Sequence, residues 1–107
     1  MDGLENGLAA SVTGIRNGSG LLTLTITGEL DIASVGAVQE AIEEILTDET
    51  RRVVFELGDL TFMDSSGLAL MLQVSRKVEI VEVHHATPIV HRVIEATGLD
   101  EILGLQP

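Results

Sequence analysis

The 107-residue sequence contains no cysteine, no tryptophan and no tyrosine. Without cysteine there is no disulfide, no thiolate nucleophile and no cysteine-based zinc site, and the redox compartment is left unmarked. Phe55 and Phe62 are the only aromatic residues, so there is no platform on which nucleic-acid bases would stack. Positive charge is scarce as well: 6 Lys and Arg stand against 17 Asp and Glu, a formal net charge of −11. That balance keeps a chain soluble, repels nucleic acid and anionic membranes, and suits a basic protein partner. No apolar run approaches a membrane span. The opening MDGLENGLAA carries neither the basic segment nor the apolar core of a secretory leader. A cytoplasmic protein that binds neither nucleic acid nor membrane is therefore expected.

What is present is aliphatic. Apolar residues make up 45% of the chain, nearly all of them Leu, Ile, Val and Ala. The length fits a single domain spanning 1–107, with the first eight residues expected to be flexible. A chain of this size buries roughly two-thirds of its unfolded surface, enough for one core.

Periodicity divides the chain. Residues 9–17 read as a strand that turns at Asn-Gly-Ser-Gly, 17–20. Leu22, Leu24 and Ile26 then alternate with Thr23, Thr25 and Thr27, which predicts a strand with one apolar face and a hairpin to the first strand. Val35, Val38, Ile42 and Ile45 recur at helical steps after Ser34, a candidate N-cap, with Glu40, Glu43 and Glu44 facing water. Val53, Val54 and Phe55 form a continuous run, as in a strand buried on both faces. Residues 58–63 read as a loop. A short helix follows with Leu68, Leu70, Met71, Leu72 and Val74, then a strand around Val78–Val83. Pro88 suits the first turn of a helix whose inner face is Val90, Val93, Ile94 and Ala96, stopped at Gly98. Leu99, Ile102, Leu103 and Leu105 read as a last short helix. The order β-β-α-β-α-β-α predicts an α/β fold: a mixed, mostly parallel sheet of four to five strands, antiparallel at its first strand, with helices mainly on one face.

Polar residues interrupt the apolar pattern at "TFMDSSGLALML", 61–72. Asp64 stands where a helix N-cap belongs, with Ser65 and Ser66 in the first turn. Capping alone accounts for these residue types. A phosphate on Ser65 is the other reading, since a helix start offers unpaired N–H groups and a favourable dipole, opposed by the like charge of Asp64. Gly67 would let another backbone come close.

Three stretches together carry a resemblance. "GELD" at 28–31, "VVFELGDLTFMDSSGLALML" at 53–72 and "TPIVHRVIEATGLDEIL" at 87–103 resemble, in order, the motifs of STAS domains, specifically the stand-alone bacterial anti-sigma factor antagonists. The resemblance implies a STAS fold and a partner switch. Such a protein binds an anti-sigma factor that is itself an ATP-dependent serine kinase, and so releases the sigma factor. Phosphorylation of the first serine of the motif, here Ser65, ends binding, and a serine phosphatase reverses it. The resemblance implies a partner surface drawn from Asp31, Ser34, Asp64, Ser65, Ser66, Gly67, Leu68 and Met71, with core packing the competing use for Leu68 and Met71. It implies no cofactor on this chain, ATP being the partner's, and a monomer or weak dimer. "LQVSRKVEI", 72–80, departs from the family pattern: it lacks the usual glycine turn and is about one helical turn shorter.

Other chemistry has little support. His84, His85 and His91 match no zinc spacing and read as surface residues. Asp-Ser-Ser-Gly lacks the first glycine of a nucleophile elbow, and no histidine is placed as its base. The remaining alternative is a STAS scaffold or regulatory module, stressosome-like or transporter-associated, without a sigma-factor role.

Overall fold

The computed structural model describes residues 9–107; the expected flexibility of the first eight residues lies outside them. The elements are β1 (Ser11–Arg16), β2 (Leu21–Leu30), α1 (Val35–Ile45), β3 (Arg52–Glu56), β4 (Leu60–Met63), α2 (Ser65–Ser75), β5 (Ile80–His84) and α3 (Pro88–Ala96). The expected elements through the Pro88 helix are present in order. The one addition is β4, four residues inside the segment read as a loop.

The hairpin turn is fixed by Asn17, whose side-chain oxygen accepts hydrogen bonds from the Ser19 and Leu21 N–H groups at 2.9 and 3.2 Å. β1 pairs antiparallel with β2. β2 pairs parallel with β3 over Leu21–Thr25 and, beyond a register shift at Gly28/Glu29, parallel with β4. β5 lies parallel to β3 on its other side.

Register explains the core. Leu22 and Leu24 stand beside Val53 and Phe55, which stand beside Val81 and Val83, and all six are buried. Val38 and Ile42 of α1, Leu68, Leu70, Met71 and Val74 of α2, and Val90 and Ile94 of α3 join them in one cluster. The helices thus share one sheet face, as alternation in β2 predicts. The opposite face carries Thr23, Thr25, Val54, Glu56, Glu82 and His84.

The continuous run of β3 is buried on both faces, as expected. Val53 and Phe55 enter the core, whereas Val54 lies on the threonine side between Thr23 and Glu82. Its burial comes from those cross-strand neighbours.

Two expectations change. Residues 99–105 form turns instead of a helix: Leu103 is buried, Ile102 is exposed, and Leu105 makes a parallel bridge to Val83. Gly104 accepts from the Val83 N–H at 3.0 Å and Gln106 donates to the Val83 carbonyl at 2.9 Å, so this segment caps an otherwise open sheet edge. Ala96 is exposed and is not part of the inner face of α3. Gly98 does end that helix, with φ of 74°.

Candidate functional site

Parallel strands end together, so the C-terminal ends of β2 and β4 deliver their following residues to one place. The Asp64 N–H donates to the Leu30 carbonyl at 3.2 Å, which sets Asp31 beside Asp64. The structure therefore brings the "GELD" end and the Asp-Ser-Ser-Gly corner together, as expected for Asp31, Ser34, Asp64 and Ser65.

Asp64 is the N-cap of α2. Its backbone is extended and its carboxylate accepts from the Ser66 N–H at 2.8 Å. The Asp64 carbonyl accepts from the Gly67 and Leu68 N–H groups at 3.1 and 3.4 Å. One residue thus engages three of the first four N–H groups of the helix. Ser65, in the first position, is exposed. Expected free donors around Ser65 are consequently mostly occupied, and the nearest full charge is the Asp64 carboxylate. Replacing Asp64 by alanine is expected to cost about 1 kcal/mol of folding stability, read from the shift in the urea midpoint at constant slope.

Asp31 and Ser34 form a reciprocal pair. The Asp31 carboxylate accepts from the Ser34 N–H at 3.1 Å, and the Asp31 N–H donates to Ser34 Oγ at 3.1 Å. Ser34 Oγ donates to the Glu29 carbonyl at 2.8 Å. This is the logic of a capping box, set one turn ahead of α1. Ser34, expected as the N-cap, makes no side-chain cap of its own helix. The Asp31 carbonyl accepts from the Val35 N–H at 2.9 Å, a helix-type bond, so the polar start moves to Asp31. Both side chains are half-buried and mutually engaged.

Three expected surface residues belong to the interior. Leu68 is 5% exposed and Met71 0%, so neither can touch a partner while the domain is folded. α2 is apolar nearly all round, and its buried side is set by the sheet beneath it. Gly67 is buried too. A Cβ there would lie 2.5 Å from Met63 Cγ and 2.9 Å from Leu30 Cδ2. Its missing side chain lets α2 pack on β4 and β2, and is required by the core instead of by a docking backbone.

Exposed apolar residues that the sequence reading left without a role also lie here. Ile32 follows Asp31, and Phe62 precedes the corner on β4. Their signal in the sequence is an apolar residue directly flanking a polar turn.

The histidines are paired with carboxylates. His84 Nε2 lies 2.8 Å from Glu82, and His85 Nδ1 2.5 Å from Glu56. The hydrogen bond with His84, helped by Arg52, holds the Glu82 carboxyl below its ordinary value. Among the described residues no group of three His, Asp or Glu is placed to hold a metal. No described helix is long and apolar enough to cross a membrane. A cleft of about 610 Å³ lies at the far end of the sheet, lined by Arg16, Asn17, Thr47, Asp48 and Arg51.

Residues 13–107 of this mixed, one-sided sheet with its β4–α2 corner match the STAS domain family, and the chain belongs to it. Among its relatives, the Paenibacillus polymyxa anti-sigma F factor antagonist is 33% identical over 91 residues, covering 80% of this chain and 78% of that one. The anti-sigma-F factor antagonist RsfB of Mycobacterium tuberculosis is 31% identical over 64 residues, 60% of this chain. The chain spans about half the length of that relative, 52%. The crystal structure of an anti-sigma factor antagonist from Mycobacterium paratuberculosis has the same fold, with a TM-score of 0.78 and 24% identity over 92% of this chain and 86% of that one.

Proposed function

We propose that this chain is an anti-sigma factor antagonist, a switch that binds an anti-sigma factor serine kinase and releases the sigma factor until Ser65 is phosphorylated. The observation that carries this reading is the exposed Ser65 at the start of α2, with the helix cap supplied by its neighbour Asp64. Because Asp64 holds the helix start, Ser65 is free to accept a phosphate without unmaking the fold. Relatives that bear the name anti-sigma factor antagonist support it.

The phosphate acts locally. It adds about −1.5 to −2 charges at pH 7. With the Ser66, Gly67 and Leu68 N–H groups already engaged by Asp64, it gains little from the helix start and stands beside a carboxylate. In an interface that charge must be desolvated. A hundredfold loss of binding needs only about 2.7 kcal/mol. The chain is a substrate rather than an enzyme: ATP is bound by the partner, and a serine phosphatase restores Ser65. We read it as a cytoplasmic monomer or weak dimer.

The test is a paired capture from native extract with Ser65→Ala and Ser65→Asp baits, read by mass spectrometry. Ser65→Ala is expected to retain an ATPase-like kinase that Ser65→Asp loses. Identical captures, or no kinase with either, would assign Ser65 to the helix start alone and favour the scaffold reading.

A further inference from the structure

We infer that β1 is a dimerisation edge: its outer side pairs antiparallel with β1 of a second copy of this chain, joining two sheets into one about a two-fold axis. This goes beyond the antagonist reading and does not depend on it.

The two edges of the sheet differ. At β5 the Val83 N–H donates to the Gly104 carbonyl at 3.0 Å and the Gln106 N–H donates to the Val83 carbonyl at 2.9 Å, so the C-terminal turns close that edge. Among the described residues β1 has no such cover and pairs with β2 alone. The Asn17 N–H donates to the Leu21 carbonyl at 2.9 Å. Bonding alternates along an antiparallel pair, so Ser11, Thr13 and Ile15 turn their backbone groups to β2, and Val12, Gly14 and Arg16 turn theirs outward. Edge strands are commonly shielded by proline, a bulge or charge. β1 has no proline and no acid, and its register with β2 runs unbroken from Ser11 to Arg16. Ile15 is 72% exposed on it.

Charge selects the occupant. Residues 6–28 contain no Asp or Glu, all 17 acids of the chain lie outside them, and Arg16 is their single charge. On the open face of the sheet Ser11, Thr13 and Ile15 stand beside Thr27, Thr25 and Thr23. On the other face α1 lies against β1: a Cβ on Gly14 would be 3.0 Å from Ile45 Cγ2. Gln39 of α1 bonds Gln73 of α2 at 3.0 Å, so the side of α1 turned away from α2 carries Ala37 and Ala41, bordered by Glu44. A chain of net charge −11 repels its own copies, and this acid-free side is where that repulsion is weakest. A basic partner would find no acid on β1 to pair with.

The geometry also limits the assembly. Each copy has one open edge, so pairing closes at two. With the outward groups of Val12, Gly14 and Arg16 facing their counterparts, Ser11, Thr13 and Ile15 of both copies share one face. The exposed Ile15 then gains cross-strand neighbours.

Sedimentation of the purified full chain across a concentration series, combined with amide hydrogen exchange, is the test. Wild type is expected to shift from monomer to dimer as concentration rises, and the Val12, Gly14 and Arg16 amides to gain protection over the same range. Thr13→Glu and Ile15→Glu are expected to weaken the dimer about tenfold or more, by setting like charges across the pairing. Val12→Pro, which removes an outward N–H and leaves the β1–β2 ladder intact, is expected to weaken it as well. Ile80→Glu puts the same charge on an exposed isoleucine of β5 and is expected to change the dimer less than about twofold. Circular dichroism melts check that each variant is folded. A wild type that stays monomeric at millimolar concentration overturns the proposal. A dimer that Ile80→Glu dissolves as readily as Ile15→Glu overturns it in favour of contact through the open face. Assemblies that grow beyond two copies overturn it by requiring the β5 edge. Outward amides protected equally at every concentration would overturn it too, because the edge would then be covered within one copy.

Discussion

Replacing Gly28 by alanine is expected to remove about 3 kcal/mol of folding stability and lower the melting temperature by more than about 10 °C. Gly28 has φ of +92°, where a Cβ is strained by about 1–2 kcal/mol. A Cβ built there would also lie 2.2 Å from the Ala9 carbonyl oxygen, closer than any contact allows. The obstacle is backbone, so no rotamer change relieves it. Gly28 further donates its N–H to the Asp59 carbonyl at 3.1 Å and accepts from the Thr61 hydroxyl at 3.0 Å. Displacing it loosens β4, the strand that delivers Asp64 and Ser65. Urea unfolding followed by circular dichroism measures the effect. A Gly28→Ala midpoint within error of wild type would show that the bulge tolerates a side chain.

Met71→Ala is expected to destabilise by about 2–5 kcal/mol. Met71 is fully buried among the strands and helices of the single core cluster, so its removal leaves a cavity. The comparison that matters is with Ser65→Ala, an exposed change expected to move stability by less than about 0.5 kcal/mol. If Met71 served instead as a partner contact, Met71→Ala would melt like wild type and lose binding. Thermal melts of the two variants side by side separate these uses.

Legibility followed physical cause. The strict alternation of Leu22, Leu24 and Ile26 with threonines gave the central strand and its one-sided burial, because a period of two has one structural meaning. The corner was equally plain, since Asp64 and Ser65 are residue types a helix start selects. β4 was hidden: its residues run buried, exposed, exposed, buried, breaking alternation in four residues, and only pairing with β2 beyond a bulge makes them a strand. Ser34 looked like a cap by residue type. The identity of the cap depended on which of Asp31 and Ser34 turned back toward β2, which is tertiary information. Leu68 and Met71 show the same limit. On a helix apolar around most of its circumference, the sheet decides what is buried. Residues 99–105 carry helical spacing but form turns, held by bridges to Val83.

β2 gives the fold its hierarchy of opening. This one strand hydrogen-bonds with β1 and β3 and, past its bulge, with β4. β1 can detach and leave the rest of the sheet paired, and the C-terminal turns can lift from β5 at a similar small cost. β2 has no such private exit, because freeing its amides dismantles three pairings and the core face they carry. Its amides are therefore expected to exchange only through global unfolding, and those of the edges at lower free energy, as hydrogen-exchange rates would read. The Ser65 corner is tied to β2 through the Asp64–Leu30 hydrogen bond, so Ser65 stands next to the strand with the most pairings. Under the proposed function, a kinase would have to bring its catalytic groups to a serine already held in place rather than wait for it to unfold into them.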